Sequence, residues 1–296
     1  MRSSGNTRSS KGNADRSQAH NPKRNGGLGP HRLFIVGIGP GDFDHLTKRA
    51  VDVLAAVDVV VGYRTYIDLI QPLIEGKTII STGMTQEVNR VEAAIEQAQR
   101  AKSCAIISSG DPGIYAMAGL VFEICQQNNI AIAGPATFPN NRDAGSTLMV
   151  EVVPGIPALC AGAALLGAPL THDFAAISLS DLLTPWHLIE QRLEAAAKAD
   201  FVVVLYNPKS KKRIWQLAEA QKILLKYRNG LTPVGIVAGA MRENQQVRIV
   251  PLADLHRQQV DMQTTVFIGS STSSRYLDFM VTPRGYNQKY DIGGND

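Results

Sequence analysis

The sequence predicts an α/β protein of two α/β domains, with a largely parallel N-terminal sheet and a mixed C-terminal sheet. Three observations predict it. From residue 32 onward short β-rich runs alternate with longer helical ones, the pattern of strand and helix units around a parallel sheet. Glycine turns follow strand ends at 37–41, 110–113 and 155, where such a sheet gathers its functional loops. The 296 residues are 44% hydrophobic and 19% charged, enough to fill a large core spread over two domains.

The elements follow in order. Residues 33–36 form an apolar strand, and after the glycine turn come a helix over 44–56, a strand over 57–61, a helix over 66–74 and a strand over 77–81. Across 84–102 the apolar residues Val88, Val91, Ala94, Ile95 and Ala98 recur at three- and four-residue steps, which predicts an amphipathic helix. A strand over 104–107 ends in Ser108-Ser109-Gly110-Asp111-Pro112-Gly113 and leads into a helix over 114–127. Residues 133–148 are aperiodic and rich in turn formers, so they read as a surface loop. The second half has strands over 150–153, 174–179, 201–206, 234–238, 246–250 and 265–268, with helices over 158–166, 187–198 and 211–227. The small residues of 158–166 suit close packing. A domain boundary is expected near Pro154, giving domains over 31–153 and 154–285 and a tail over 286–296.

Composition narrows the function. Residues 1–30 are rich in Ser, Asn and Gly and carry Arg2, Arg8, Lys11, Arg16, Lys23 and Arg24 against Asp15 alone. The formal charge of +4 therefore belongs to this segment, and the rest of the chain is close to neutral. We read 1–30 as a disordered basic leader without the apolar core of a secretory signal; an organelle-targeting peptide is the alternative. A near-neutral body argues against a nucleic-acid partner. No apolar run approaches the ~20 residues needed to cross a bilayer, so no membrane association is expected. Cys104, Cys125 and Cys160 are widely spaced, form no C-x-x-C pair and lack a histidine cluster. That excludes a disulfide scaffold, gives no metal site, and fits three buried thiols in a reducing cytoplasm.

Several motifs carry candidate chemistry beside a plainer reading. Val36-Gly37-Ile38-Gly39-Pro40-Gly41-Asp42 follows a strand and opens a helix, as a dinucleotide-binding turn would. Asp42, however, replaces the third glycine, Pro40 removes an amide donor, and Gly62 and Tyr63 stand where the ribose-binding acid belongs. Asp111 suits an N-cap with Pro112 at the first helical position, and equally a carboxylate facing a ligand. His172, Asp173, Ser180 and Asp181 place polar groups at the two ends of one strand; Ser180 or Asp181 would also cap the following helix. Lys209, Lys211, Lys212 and Arg213 form either a solvated face or a dock for an anion.

Taken in register, these pieces resemble the tetrapyrrole methylase family over residues 32–285. The resemblance rests on VGIGPGD (36–42), SSGDPGIYAMA (108–118), EVVPGIPALCAGAALLGAPLTHDF (151–174), VVVLYNP (202–208), VAGA (237–240) and TTVFIGSS (264–271). It implies two α/β domains with S-adenosylmethionine as methyl donor in the cleft between them, a tetrapyrrole substrate of the precorrin type, no protein-bound metal and a homodimer. By position, Gly110, Asp111, Ile114, Ala158, Asn207, Ala238 and Thr265 are the implied donor contacts, and Gly39, Pro40 and Gly41 lie near the tetrapyrrole. The substrate is a polycarboxylate, for which guanidinium groups are the natural partners; Arg64, Arg90 and Arg242 are the candidates. The leader and a loop over 134–147 depart from the family pattern.

Within the family, STGMTQEVNRVEAAIEQA (81–98), SLSDLLTPW (178–186) and LYNPKSKKR (205–213) resemble the ring-contracting branch that methylates carbon 17 of precorrin-3B. That reaction extrudes carbon 20, whose hydroxyl loses a proton, so it calls for an acceptor within ~2.6–3.2 Å. The candidates for that role are Ser109, His172, Asp173, Ser180 and Asp181. Whether the substrate is metal-free precorrin-3B or cobalt-factor III stays open, and a methylase of another carbon, such as C11, is the near alternative. A nicotinamide oxidoreductase and an RNA-associated module acting through the basic leader are the alternatives from other classes.

Overall fold

The computed structural model describes residues 31–100, 102–137 and 146–291. The expected leader and most of the loop over 134–147 lie outside the described residues. The first sheet has six parallel strands in the order β3-β2-β4-β1-β6-β5. They are β1 (Arg32–Gly37), β2 (Val59–Tyr63), β3 (Thr78–Thr82), β4 (Ser103–Ser108), β5 (Ile132–Ala133) and β6 (Leu148–Val153). The central strands β1 and β4 are buried along almost their whole length, as befits a parallel sheet covered on both faces.

The two faces are covered by different helices. Helix α1 (Lys48–Ala56) and α2 (Arg64–Leu69) pack Ala50, Val53, Leu54 and Ile67 on Phe34, Val36 and Val60. On the other face α3 (Glu87–Gln99) and α4 (Met117–Gln127) pack Val91, Ala94, Ile95 and Val121 on Leu33, Ile35 and Ile106. The neighbouring strands β1 and β4 thus send their chains to opposite faces, which opens a crevice at their carboxyl ends.

The second sheet is mixed, in the order β11-β10-β12-β9-β8. Here β8 (Phe174–Ser178) and β9 (Val202–Tyr206) are parallel, while β10 (Pro233–Ala238), β11 (Gln246–Pro251) and β12 (Thr264–Ile268) pair antiparallel. Helices α6 (Trp186–Lys198) and α7 (Gln216–Leu225) cover one face. The small-residue helix α5 (Ala158–Leu166) covers the other. Gly162 lets α5 come close, because a Cβ there would meet the Phe267 ring at 2.7 Å. A further three-stranded sheet of β7 (Gly167–Ala168), β13 (Ser274–Tyr276) and β14 (Phe279–Val281) has no counterpart in the sequence reading.

Several helices start later than periodicity alone predicts. The one expected from 44 begins at Lys48, because the Thr47 hydroxyl accepts the Ala50 amide and caps it there. The one expected from 114 begins at Met117, after a turn closed on Asp111, so Asp111 is not its N-cap. The one expected from 211 begins at Gln216, after a loop that Ser210 and Arg213 tie on itself. Pro185 precedes α6 without a side-chain cap, so neither Ser180 nor Asp181 caps it. Among the described residues, no helix is long and apolar enough to cross a membrane.

Candidate active site

Loops from both sheets meet over a cavity of about 450 Å³. The first sheet contributes Pro40 after β1, Tyr63 and Tyr66 around the end of β2, Arg90 of α3, and Ser108–Asp111 and Ile114–Met117 from the end of β4 onward. The second unit contributes Ala158 at the start of α5, Tyr206 and Asn207 after β9, Gly239, Ala240 and Arg242 after β10, and Met262–Thr265 leading into β12.

The loops after β1, β4 and β6 are locked together through backbone. Gly39 and Gly110 exchange both hydrogen bonds, at 3.2 and 2.7 Å, in an antiparallel bridge just beyond the parallel β1–β4 pair. Gly155 lies so close that a Cβ there would stand 2.1 Å from the Gly110 carbonyl oxygen. The Asp111 carboxylate completes the knot: one oxygen accepts the Gly113 amide at 2.8 Å and the other the Gly155 amide at 3.1 Å. Its carboxylate therefore orders two cavity loops at once.

Three side chains join the two halves across the cavity. Arg242 donates from Nε to the Pro40 carbonyl at 2.8 Å and from an Nη to the Ser109 hydroxyl at 3.4 Å. Tyr115, in a left-handed conformation with φ +52°, donates its hydroxyl to the Ala176 carbonyl at 2.8 Å. Its ring packs 5.1 Å from that of Tyr206, whose hydroxyl accepts the Leu159 amide in the first turn of α5. Burial pushes the Tyr206 phenol up to about 12, so it stays neutral near neutral pH. Burial also raises Tyr66, against the opposing pull of the Arg242 and Arg90 charges.

A comparison of the sequence with family models matches residues 32–256 to the Tetrapyrrole (Corrin/Porphyrin) Methylases. The chain belongs to the tetrapyrrole methylase family. It is 49% identical over 261 residues to the cobalt-factor III methyltransferase of Priestia megaterium, covering 88% of this chain but only 46% of that protein. It is 43% identical over 254 residues to the probable cobalt-factor III C(17)-methyltransferase of Salmonella typhimurium, covering 86% of this chain and 99% of that one. Among solved structures, the methyltransferase CobJ superposes with a TM-score of 0.75 at 33% identity, covering 85% of this chain and 99% of CobJ.

In this tetrapyrrole methylase the cavity gathers Ser109, Gly110, Asp111, Ile114, Ala158, Asn207 and Thr265, with Pro40, Arg90 and Arg242. Ala238 stands one residue before the lining Gly239, at the end of β10. Gly39 and Gly41 flank Pro40; the Arg242 side chain occupies the space a Gly41 Cβ would need, at 2.6 Å. Arg64 is exposed at the start of α2, outside the lining. Arg90 is buried and engaged with the Thr82 hydroxyl, the Gly83 carbonyl and the Met117 sulfur, and burial lowers its pKa.

His172, Asp173, Ser180 and Asp181 do not line the cavity, although the sequence placed them beside Ser109. They flank β8: His172 and Asp173 precede its N-terminal end, opposite the carboxyl ends that border the cavity, and Ser180 and Asp181 follow it but are engaged by Arg213 and Gln216. His172 and Asp173 are exposed and bond each other's neighbourhood, the His172 ring accepting the Asp173 amide. Ser180 accepts from Arg213, and Asp181 from Gln216. The charge run over 209–213 is likewise split: Lys209, Lys211 and Lys212 are exposed, but Arg213 is buried. Cys160 is exposed, against the expectation of three buried thiols.

Sequence reasoning missed Tyr63, Tyr66, Tyr206 and Met262 as lining residues. Tyr63 and Tyr206 close strands β2 and β9 at their carboxyl ends, and that position was the available signal. Among the described residues no cluster of three or more His, Cys, Asp or Glu is arranged to hold a metal ion.

Proposed function

We propose that this chain transfers a methyl group from S-adenosylmethionine to carbon 17 of a precorrin-type macrocycle, with ring contraction, in cobalamin biosynthesis. The observation that carries the reading is the cavity itself. Motif residues Gly110, Asp111, Ile114, Ala158, Asn207 and Thr265, scattered over the chain, converge on a single pocket between the two sheets. Its volume lies within the ~300–1,000 Å³ of small-molecule sites, and Gly110, Ala158, Gly239 and Ala240 leave the room that a nucleoside-bearing donor requires. Of the two macrocycles, cobalt-factor III is favoured by the names of the relatives from P. megaterium and S. typhimurium.

The donor brings its own sulfonium leaving group, so the chain's task is placement, with the reacting atoms about 3–3.5 Å apart. Asp111 fixes the two loops that bound the donor, and Tyr206 fixes the start of α5 opposite them. Arg242 presents positive charge to the carboxylates of the macrocycle, while its Nε keeps the loop containing Pro40 in place. Of the residues expected to accept from the carbon-20 hydroxyl, Ser109 lies on the cavity; its oxygen accepts from Arg242 and can accept a second hydrogen bond from that hydroxyl, whose proton passes to water as the ketone forms. The reading includes domains over 31–153 and 154–285, a homodimer, a cytoplasmic location and no bound metal.

Incubation with a carbon-13 methyl donor followed by NMR of the product tests the site of transfer. Label on carbon 17 supports the reading; label on carbon 11 sends the chain to another branch of the family.

A further inference from the structure

Asn207 is held in an unfavourable backbone conformation on the wall of the cavity. Its φ is +52°, and Pro208 follows. A residue before proline is driven toward extended conformations, and positive φ is costly for any residue bearing a Cβ, Asn being among the more tolerant. Something must hold it there.

The holding structure is a closed ring of hydrogen bonds centred on Arg213. Arg213 Nε donates to the Asn207 carbonyl at 3.0 Å. The Asn207 side-chain amide donates to the Ser178 hydroxyl at 3.0 Å. Ser178 also accepts the Ser180 amide at 3.2 Å, and the Ser180 hydroxyl accepts an Arg213 Nη at 3.4 Å. The ring joins the ends of β8 and β9. Ser210 anchors Arg213 from behind by accepting its amide at 3.0 Å.

Stability alone does not explain this guanidinium. Arg213 is only 5% exposed, its other Nη is buried without a partner, and burial lowers its pKa, with Asp181 alone opposing that shift. Replacing it with an apolar side chain of similar volume removes that desolvation cost and leaves the Asn207 carbonyl and Ser180 hydroxyl without this donor, two changes in stability that oppose each other. Its contribution lies in the conformation it imposes.

We infer that Arg213 is a positioning residue of the donor pocket: it clamps Asn207 in its left-handed conformation and thereby sets the wall on which the methyl donor rests. The inference depends on the donor reading of the cavity given above.

The test is calorimetric titration of the full chain with S-adenosylhomocysteine, run beside thermal melts. Arg213→Met is expected to melt close to the wild type yet bind at least tenfold more weakly. Arg213→Lys, which can still donate to the Asn207 carbonyl, is expected to recover part of the loss. If Arg213→Met does not fold, Ser178→Ala gives the second arm, since it frees the Asn207 side chain from the same ring and is expected to weaken binding. In an Asn207→Gly background, where positive φ is unstrained, removing Arg213 is expected to cost less than threefold more. A folded Arg213→Met or Ser178→Ala chain that binds like the wild type overturns the inference, as does a full additional loss on removing Arg213 in the Asn207→Gly background. A wild-type chain that itself fails to bind S-adenosylhomocysteine overturns the donor reading, and this inference falls with it.

Discussion

The Asp111 carboxylate accepts the Gly155 amide at 3.1 Å, across 44 residues of sequence, while its other oxygen accepts the Gly113 amide. One side chain therefore sets the spacing of the loops after β4 and β6 on either side of the Gly110 carbonyl. Asp111→Ala releases both amides. With charge-assisted hydrogen bonds contributing about 1.5–3 kcal/mol each, the expected result is at least a tenfold loss of S-adenosylhomocysteine affinity by calorimetry. Asp111→Asn keeps one acceptor oxygen and should fall between. Unchanged affinity in Asp111→Ala would remove Asp111 from the donor site.

Arg242 reaches across 202 residues to Pro40 and borders the cavity beside Ser109. Arg242→Ala should raise the KM for the tetrapyrrole by tenfold or more while changing donor affinity less than threefold. Arg242→Lys restores the charge but not the forked donor set, so it should restore only part of the KM. Equal losses for donor and tetrapyrrole would contradict the assignment to the macrocycle.

Asp58 is held below its ordinary 3.8, first by the Ser103 hydroxyl and then by the Ser103 amide. A depressed folded-state value stabilises the fold fully above the unfolded-state pKa, and that contribution is lost as pH falls through the folded-state value. The stability gap between wild type and Asp58→Asn should thus be constant from pH 7 to pH 5 and shrink below 3.8. Urea unfolding at several pH values measures it; a gap that widens in acid would refute the sign.

Cys104 and Cys125 are buried, and burial pushes the Cys104 thiol up to about 12. Cys160 is exposed on α5. A chromogenic disulfide reagent should therefore titrate one thiol rapidly in the native protein and all three only after unfolding. A native protein in which Cys160→Ser leaves the fast phase intact would contradict this placement.

Much of the fold was legible because the decisive strands are nearly pure apolar runs: Leu33–Val36, Cys104–Ile107 and Val202–Leu205 can hardly be anything but buried strands. Helix starts were less legible, since the turns that delay them depend on side chains such as Thr47 and Ser210 bonding locally. Strands β7, β13 and β14 are two or three residues long and carry no period to read. At the site, Pro40, Gly110 and Asp111, which lie in glycine-containing turns, line the cavity, because strand-end turns point to the crevice. His172, Asp173, Ser180 and Asp181 lie off the cavity: sequence reveals which strand they flank, but not that two of them sit at its far end and the other two turn to Arg213 and Gln216. Arg213 looked like one more solvated charge among lysines; only three dimensions reveal that it lies beneath Asn207.

The central claim is tested most directly by mass spectrometry of parallel incubations with S-adenosylmethionine, one with cobalt-factor III and one with precorrin-3B, following the absorption change of contraction. The expected result is one added methyl and a contracted ring with cobalt-factor III. Donor binding without methyl gain on either macrocycle would contradict the account.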